Sequence, residues 1–233
     1  EIMPHEVKAV RNDAIIATTN TPVVQEKKKT PQFHPIVSKM DQFRAHPLIH
    51  HRIVNTRYIT DAMKQDDPVH SANSRLICIL SPTGSGKTTY AQQMFKELLN
   101  ENHKSVCVAL SPRRSVTAQH EKNFREMGFI HYMKDKKLLP TCNRIISTLD
   151  SLFKIDKAID ILYIDEVESL LEHVFADTLK ERNLVWSKLL QVCSTAKKVV
   201  VTDADFGDLS TTFFTEVIEA DQISQPVAQK HRT

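Results

Sequence analysis

An apolar run, Leu76-Ile77-Cys78-Ile79-Leu80, breaks into Ser81-Pro82-Thr83-Gly84-Ser85-Gly86-Lys87-Thr88-Thr89. A strand-like run that turns through glycines and closes on Lys-Thr is the phosphate-binding P-loop pattern, with Ser81 where the first glycine usually stands. Gly84 and Gly86 permit backbone angles that other residues resist, so successive N–H groups can converge on one anion. Lys87 is then placed for the β- and γ-phosphates and Thr88 for Mg²⁺, and the helix that starts here turns its positive end to the phosphates. Pro82, Thr83, Gly84, Ser85, Gly86, Lys87, Thr88 and Thr89 are therefore the expected nucleotide contacts, with ATP and Mg²⁺ as ligands. The chain has four glycines and two stand in this turn, so the pair is not filler. Downstream, Ala91, Met94, Phe95, Leu98 and Leu99 share one helical face across Tyr90–Asn100, the context that a true P-loop requires.

Length and composition set the frame for this motif. A chain of 233 residues with 41% hydrophobic content can build one large domain, or one domain with an appendage. A net charge of +3 does not by itself point to nucleic acid. Cys78, Cys107, Cys142 and Cys193 have neither disulfide-framework nor zinc spacing, which predicts reduced thiols in an intracellular compartment. The longest apolar runs are too short to cross a bilayer and no signal peptide is visible, so no membrane partner is expected. The chain opens on Glu1, as a fragment or a processed product would.

Residues 1–34 read as a linker or flexible arm, with a Lys27-Lys28-Lys29 run and few aromatics. Residues 35–70 read as an N-terminal extension packed on the main domain. Within it Tyr58 and Arg57 are candidates to stack on an adenine ring, although Tyr58 and Ile59 serve equally as packing onto a sheet. From residue 71 to 233 strands and helices alternate. Strands are expected at Leu76–Leu80, Ser105–Leu110, Arg144–Ser147, Ile161–Ile164 and Lys198–Val201. Helices are expected at about Thr88–Asn100, Val116–Met127 and Asp177–Val192, the second capped by Ser115 and ended by Gly128. Apolar strands alternating with helices predict a three-layer α/β domain around a parallel sheet.

Ile161-Leu162-Tyr163-Ile164-Asp165-Glu166 is the natural partner of the P-loop. An apolar strand ending in Asp-Glu, the Walker B arrangement, places Asp165 beside the P-loop to hold Mg²⁺ and Glu166 to polarise an attacking water. Lys87, Asp165 and Glu166 are thus the expected catalytic residues, with Thr88 and Asp165 as the Mg²⁺ ligands. Ser111-Pro112-Arg113-Arg114-Ser115 follows the second strand and brings two guanidinium groups to the same sheet edge. Ile146-Ser147-Thr148-Leu149 follows the third and brings hydroxyls. Arg and small hydroxyl side chains suit a groove that tracks a nucleic-acid backbone. Val201-Thr202-Asp203-Ala204-Asp205 ends the last strand. Thr202 and Asp203 are expected to hydrogen-bond Glu166 or the γ-phosphate region, coupling hydrolysis to motion.

In this order the motifs resemble those of superfamily-two helicases. The Arg-Arg-Ser at 113–115, the Ser-Leu at 151–152 and Thr-Asp-Ala-Asp at 202–205 are similar, more closely, to the herpesvirus-type origin-binding-protein helicases of large DNA viruses. The resemblance covers about Asn55 to Asp205. It implies a RecA-like motor domain driven by ATP, with Arg113, Arg114 and Thr148 on the backbone of single-stranded or forked DNA. It also implies replication proteins as partners and a host nucleus or cytoplasmic replication site as location. Such helicases carry a second motor domain that supplies arginine fingers. The 28 residues after Asp205 hold no Gln-x-x-Gly-Arg-x-x-Arg motif, so the chain reads as the first motor domain of a longer protein, weakly active alone. Two other readings fit the P-loop: a phosphotransferase such as a nucleotide kinase, and a non-enzymatic nucleotide-binding scaffold of a replication or packaging complex.

Overall fold

The computed structural model describes residues 14–20, 39–46, 49–54, 58–60, 74–112, 114–134, 141–177, 179 and 181–224. The strands are β1 (Ala14–Asn20), β2 (Ile49–Val54), β3 (Ser74–Leu80), β4 (Cys107–Ser111), β5 (Ile130–His131), β6 (Arg144–Thr148), β7 (Ile161–Asp165) and β8 (Lys198–Asp203). The α-helices are α1 (Lys39–Arg44), α2 (Lys87–Glu101), α3 (Arg114–Phe124), α4 (Val167–Val174), α5 (Arg182–Thr195) and α6 (Asp208–Ser224).

Alternation along the strands explains why the sheet is buried on both faces. Leu76, Cys78, Leu80, Val108, Leu110, Leu162, Ile164, Val199 and Val201 enter one core with α4, α5 and α6. Ile77, Ile79, Cys107, Ala109, Ile161, Tyr163 and Val200 enter the other with Tyr90, Ala91, Met94 and Phe95 of α2. Successive side chains of a strand point to opposite faces, so an unbroken apolar run has to be covered twice. The result is the expected three-layer α/β fold, with six parallel strands in the order β3-β8-β7-β4-β6-β5.

The five strands and three helices expected from the sequence are present with small shifts of their ends. Ser115 is the exception among the caps. It lies inside the first turn of α3, which begins at Arg114. Gly128 ends the 3-10 turn that follows α3, with φ 77°. Helix α5 starts at Arg182 rather than near Asp177. Residues 14–20, expected within a flexible arm, instead form β1, which pairs antiparallel with both β2 and β3 and extends the sheet past the P-loop strand.

Strand order shows how Asp165 comes to stand beside the P-loop. β7 is not the neighbour of the P-loop strand, because β8 lies between them. Leu80 is in register with Asp203 and Asp165 with Thr202, so all three strands end at one level. Among the described residues no helix is long and apolar enough to cross a membrane.

Candidate nucleotide site

The P-loop leaves β3 at Ser81, whose N–H donates to the Asp203 carbonyl at 3.0 Å. The Ser81 and Ser85 hydroxyls, both buried, lie 2.7 Å apart and tie the two ends of the turn together. Ser81 thus fills the place of the usual glycine with a bond inside the loop. Gly84 and Gly86 have φ of 82° and 88°, the left-handed region. A Cβ at either position would meet no atom of the described residues within 4 Å, so backbone conformation is what demands glycine there. Lys87 opens α2 and donates its ammonium to the Ser81 and Pro82 carbonyls at 2.6 and 3.1 Å. Burial pulls its pKa below the usual lysine value, against the carboxylates of Asp165, Asp203 and Glu166.

A cleft of about 540 Å³ opens above this loop, lined by Thr83, Gly84, Gly86, Lys87, Thr88, Thr89, Asp165, Glu166, Ser169, Asp203 and Ala204. The structure therefore brings together the expected P-loop contacts, the Asp-Glu pair and Asp203. Pro82 and Ser85 are not among the lining residues. Upstream, Ile59 is buried and its N–H donates to the Ser85 carbonyl at 3.0 Å, while Tyr58 remains 41% exposed. Ile59 thus packs against the loop and Tyr58 stays accessible, while Arg57 lies outside the described residues.

Asp165 is almost fully buried and held from two sides. Thr202 donates its hydroxyl to Oδ1 at 2.8 Å, and His120 Nε2 lies 2.9 Å from Oδ2. Tyr163 lies 3.0 Å from the Thr202 hydroxyl. Burial pushes the Asp165 carboxyl up, but the hydrogen bond and charge of His120, the Thr202 hydroxyl and Lys87 together hold it below the ordinary range. Glu166 is exposed and adopts φ 53°, ψ 56°; no other non-glycine among the described residues has positive φ.

Among the described residues neither Thr202 nor Asp203 hydrogen-bonds the Glu166 side chain, whereas Asp203 lines the cleft beside the P-loop. Thr202 holds Asp165, and Asp203 Oδ2 accepts from the Glu168 N–H at 2.7 Å, capping α4. Burial raises the Asp203 carboxyl above its usual value, although three backbone N–H groups and Lys87 oppose this. Glu168 in turn accepts from the Gly207 N–H at 2.9 Å, the Ser210 N–H at 3.2 Å and the Ser210 hydroxyl at 2.5 Å. The carboxylate satisfies otherwise open N–H groups at the start of α6.

The expected nucleic-acid contacts fare differently. Arg113 lies outside the described residues. Arg114 is exposed at the start of α3. Thr148 is 4% exposed and donates its hydroxyl to Tyr132 at 3.1 Å, so it presents no free hydroxyl to a ligand. His120 is the residue that sequence reasoning missed. Forty-five positions separate it from Asp165, and no local pattern marks the contact.

For Mg²⁺, the donors fit. Thr88 and Asp165 offer hard oxygens at one cleft, and a carboxyl held below its ordinary range is ionised at neutral pH.

The family model described as origin of replication binding protein matches residues 41–228. The chain belongs to that family. Among curated relatives it is similar to a candidate replication origin-binding protein of Acanthamoeba polyphaga mimivirus, at 33% identity over 60% of this chain and 19% of that one. It is also similar to the replication origin-binding protein of varicella-zoster virus, at 26% identity over 65% of this chain and 18% of the relative. The chain thus spans less than a fifth of these origin-binding proteins. Among solved structures it is similar to Mss116p bound to ssRNA and AMP-PNP, at 16% identity, with a TM-score of 0.48 over 65% of this chain and 36% of that one.

Proposed function

We propose that this origin-binding-family chain is the nucleotide-binding motor domain of a DNA helicase, hydrolysing ATP to translocate on or unwind DNA during viral genome replication. One observation carries the reading: the P-loop, the Asp165-Glu166 pair and Asp203 line a single cleft at the ends of three adjacent parallel strands. Phosphoryl transfer to water asks for charge neutralisation and a positioned nucleophile, with little covalent work by the protein. The P-loop N–H groups and Lys87 bind the phosphates, Lys87 exchanging its bonds to Ser81 and Pro82 for phosphate oxygens. Thr88 and Asp165 would hold Mg²⁺, which when bound neutralises developing charge on the phosphates. Glu166, exposed at the lip of the cleft, orients the attacking water and accepts its proton.

Asp203, Glu168 and Ser210 then form a continuous link from β8 through α4 to α6. A shift of the carboxylates on nucleotide turnover reaches α6 through that link. Arg114, with Arg113 before it, is the proposed contact to the DNA backbone, and Thr148 has no part in it. A second motor domain of the same parent protein is the proposed partner that completes the site with arginine.

The test is ATP hydrolysis by the full-length protein with and without single-stranded DNA, beside a Glu166→Gln variant. Stimulation by DNA that the substitution abolishes is expected. Turnover that is unchanged by the substitution would instead mark a nucleotide-binding scaffold. Phosphate appearing on a nucleotide rather than in water would mark a phosphotransferase.

A further inference from the structure

We infer that His120 is a positioning residue for the magnesium-binding carboxylate: it donates Nε2–H to Asp165 and, with Thr202, locks that carboxylate in one orientation. The inference rests on the proposed ATPase reading, and the experiment below separates the two.

The geometry supplies the argument. His120 is 1% exposed, on the face of α3 turned to the sheet. Its ring stacks on Phe124 at 5.2 Å and lies tilted against Tyr163 at 5.8 Å, so it has little freedom to turn. Nε2 sits 2.9 Å from Asp165 Oδ2. An ionised carboxylate only accepts, so this contact requires the proton on Nε2. Among the described residues Nδ1 is buried with no hydrogen-bond partner. The second carboxylate oxygen is taken by the Thr202 hydroxyl at 2.8 Å. One donor on each oxygen removes rotation about the carboxyl bond, while each oxygen keeps acceptor capacity towards the cleft. Outer partners that hold a ligating carboxylate typically tune metal affinity or activity 10- to 100-fold. α3 also begins at Arg114, the proposed DNA contact. A displacement of α3 by DNA would therefore reach the metal-binding carboxylate through His120.

The test compares His120→Gln with His120→Asn in the full-length protein. The Gln amide nitrogen reaches the position of Nε2, and the shorter Asn amide does not. The readouts are Mn²⁺ affinity in the presence of ADP, followed by the electron paramagnetic resonance signal of free Mn²⁺, and kcat for ATP. ADP affinity in EDTA serves as the control. His120→Asn is expected to weaken Mn²⁺ binding and lower kcat by about 10-fold or more, with ADP affinity in EDTA unchanged. His120→Gln is expected to stay within about 3-fold of wild type on the same ground. Two results overturn the inference: Asn that behaves as wild type, or Gln that falls as far as Asn, including through loss of folding. Wild-type protein that shows no metal-dependent ADP binding would sink the ATPase reading itself.

Discussion

Glu166, the proposed water-orienting residue, sits on a left-handed backbone, φ 53° and ψ 56°, at the N-cap of α4. An L-residue with a Cβ meets its following carbonyl there, at a cost of roughly 1–2 kcal/mol. Glycine escapes that cost but gives back about 0.4–1 kcal/mol through the larger entropy of the unfolded chain. Because the Glu166 side chain is exposed, its removal costs little packing. Glu166→Gly and Glu166→Ala lose the same charge, so their difference isolates the backbone. Glu166→Gly is expected to be more stable than Glu166→Ala by about 0.8 kcal/mol, the mid-range strain relieved less the mid-range entropy returned. For a chain of this size that is about 1–4 °C in Tm, read by calorimetry. Both variants should lose ATP turnover, since neither can orient water. Equal melting temperatures, or a lower one for the glycine variant, would refute the idea that this position stores strain for function.

Other expectations follow from the same site. Lys87→Ala should weaken ATP binding about 10- to 100-fold by loss of a charge-assisted bond to phosphate, measured with a fluorescent ATP analogue, while the protein remains folded. Gly207→Ala would place a Cβ against the Glu168 carboxylate and push it off Ser210 and the α6 N–H groups. A loss of about 1–3 kcal/mol in urea unfolding is expected, and an unchanged midpoint would contradict the link. Asp165 has a folded pKa below its ordinary 3.8, so its stabilising contribution is complete above that pH and lost as pH falls through the lower folded value. Asp165→Asn should therefore flatten the acid limb of the stability curve below pH 3.8, as read by chemical unfolding across pH.

Much of this architecture is local and so was legible. The P-loop announces itself because its function needs glycine backbone angles and a Lys-Thr at fixed offsets. The Asp165-Glu166 pair announces itself because an apolar strand ends in two acids. Runs such as Ile161–Ile164 declare a doubly covered sheet, since only burial on both faces tolerates them. Gly128 declares a helix end because glycine tolerates the left-handed backbone such an end adopts, and its φ is 77°.

What the sequence withheld were relations between distant segments. Nothing in Val199-Val200-Val201 says that β8 inserts between β3 and β7, because any parallel strand of that composition fits several places in the sheet. That insertion brings Thr202 to Asp165 and keeps it from Glu166. Thr148 reads as an accessible hydroxyl until Tyr132 is packed over it. β1 reads as linker because Ala14-Ile15-Ile16-Ala17-Thr18-Thr19-Asn20 is short and flanked by polar residues, and only an open edge at β3 makes it a strand. His120 reads as one polar residue in a helix. By itself, then, the sequence determined the proposed nucleotide-binding motifs and the layered class of the fold, through short-range spacing and periodicity. Tertiary structure alone decided which groups hold the Asp165 carboxylate and how the site joins α6, because hydrogen bonds between residues tens of positions apart leave no periodic trace in the chain.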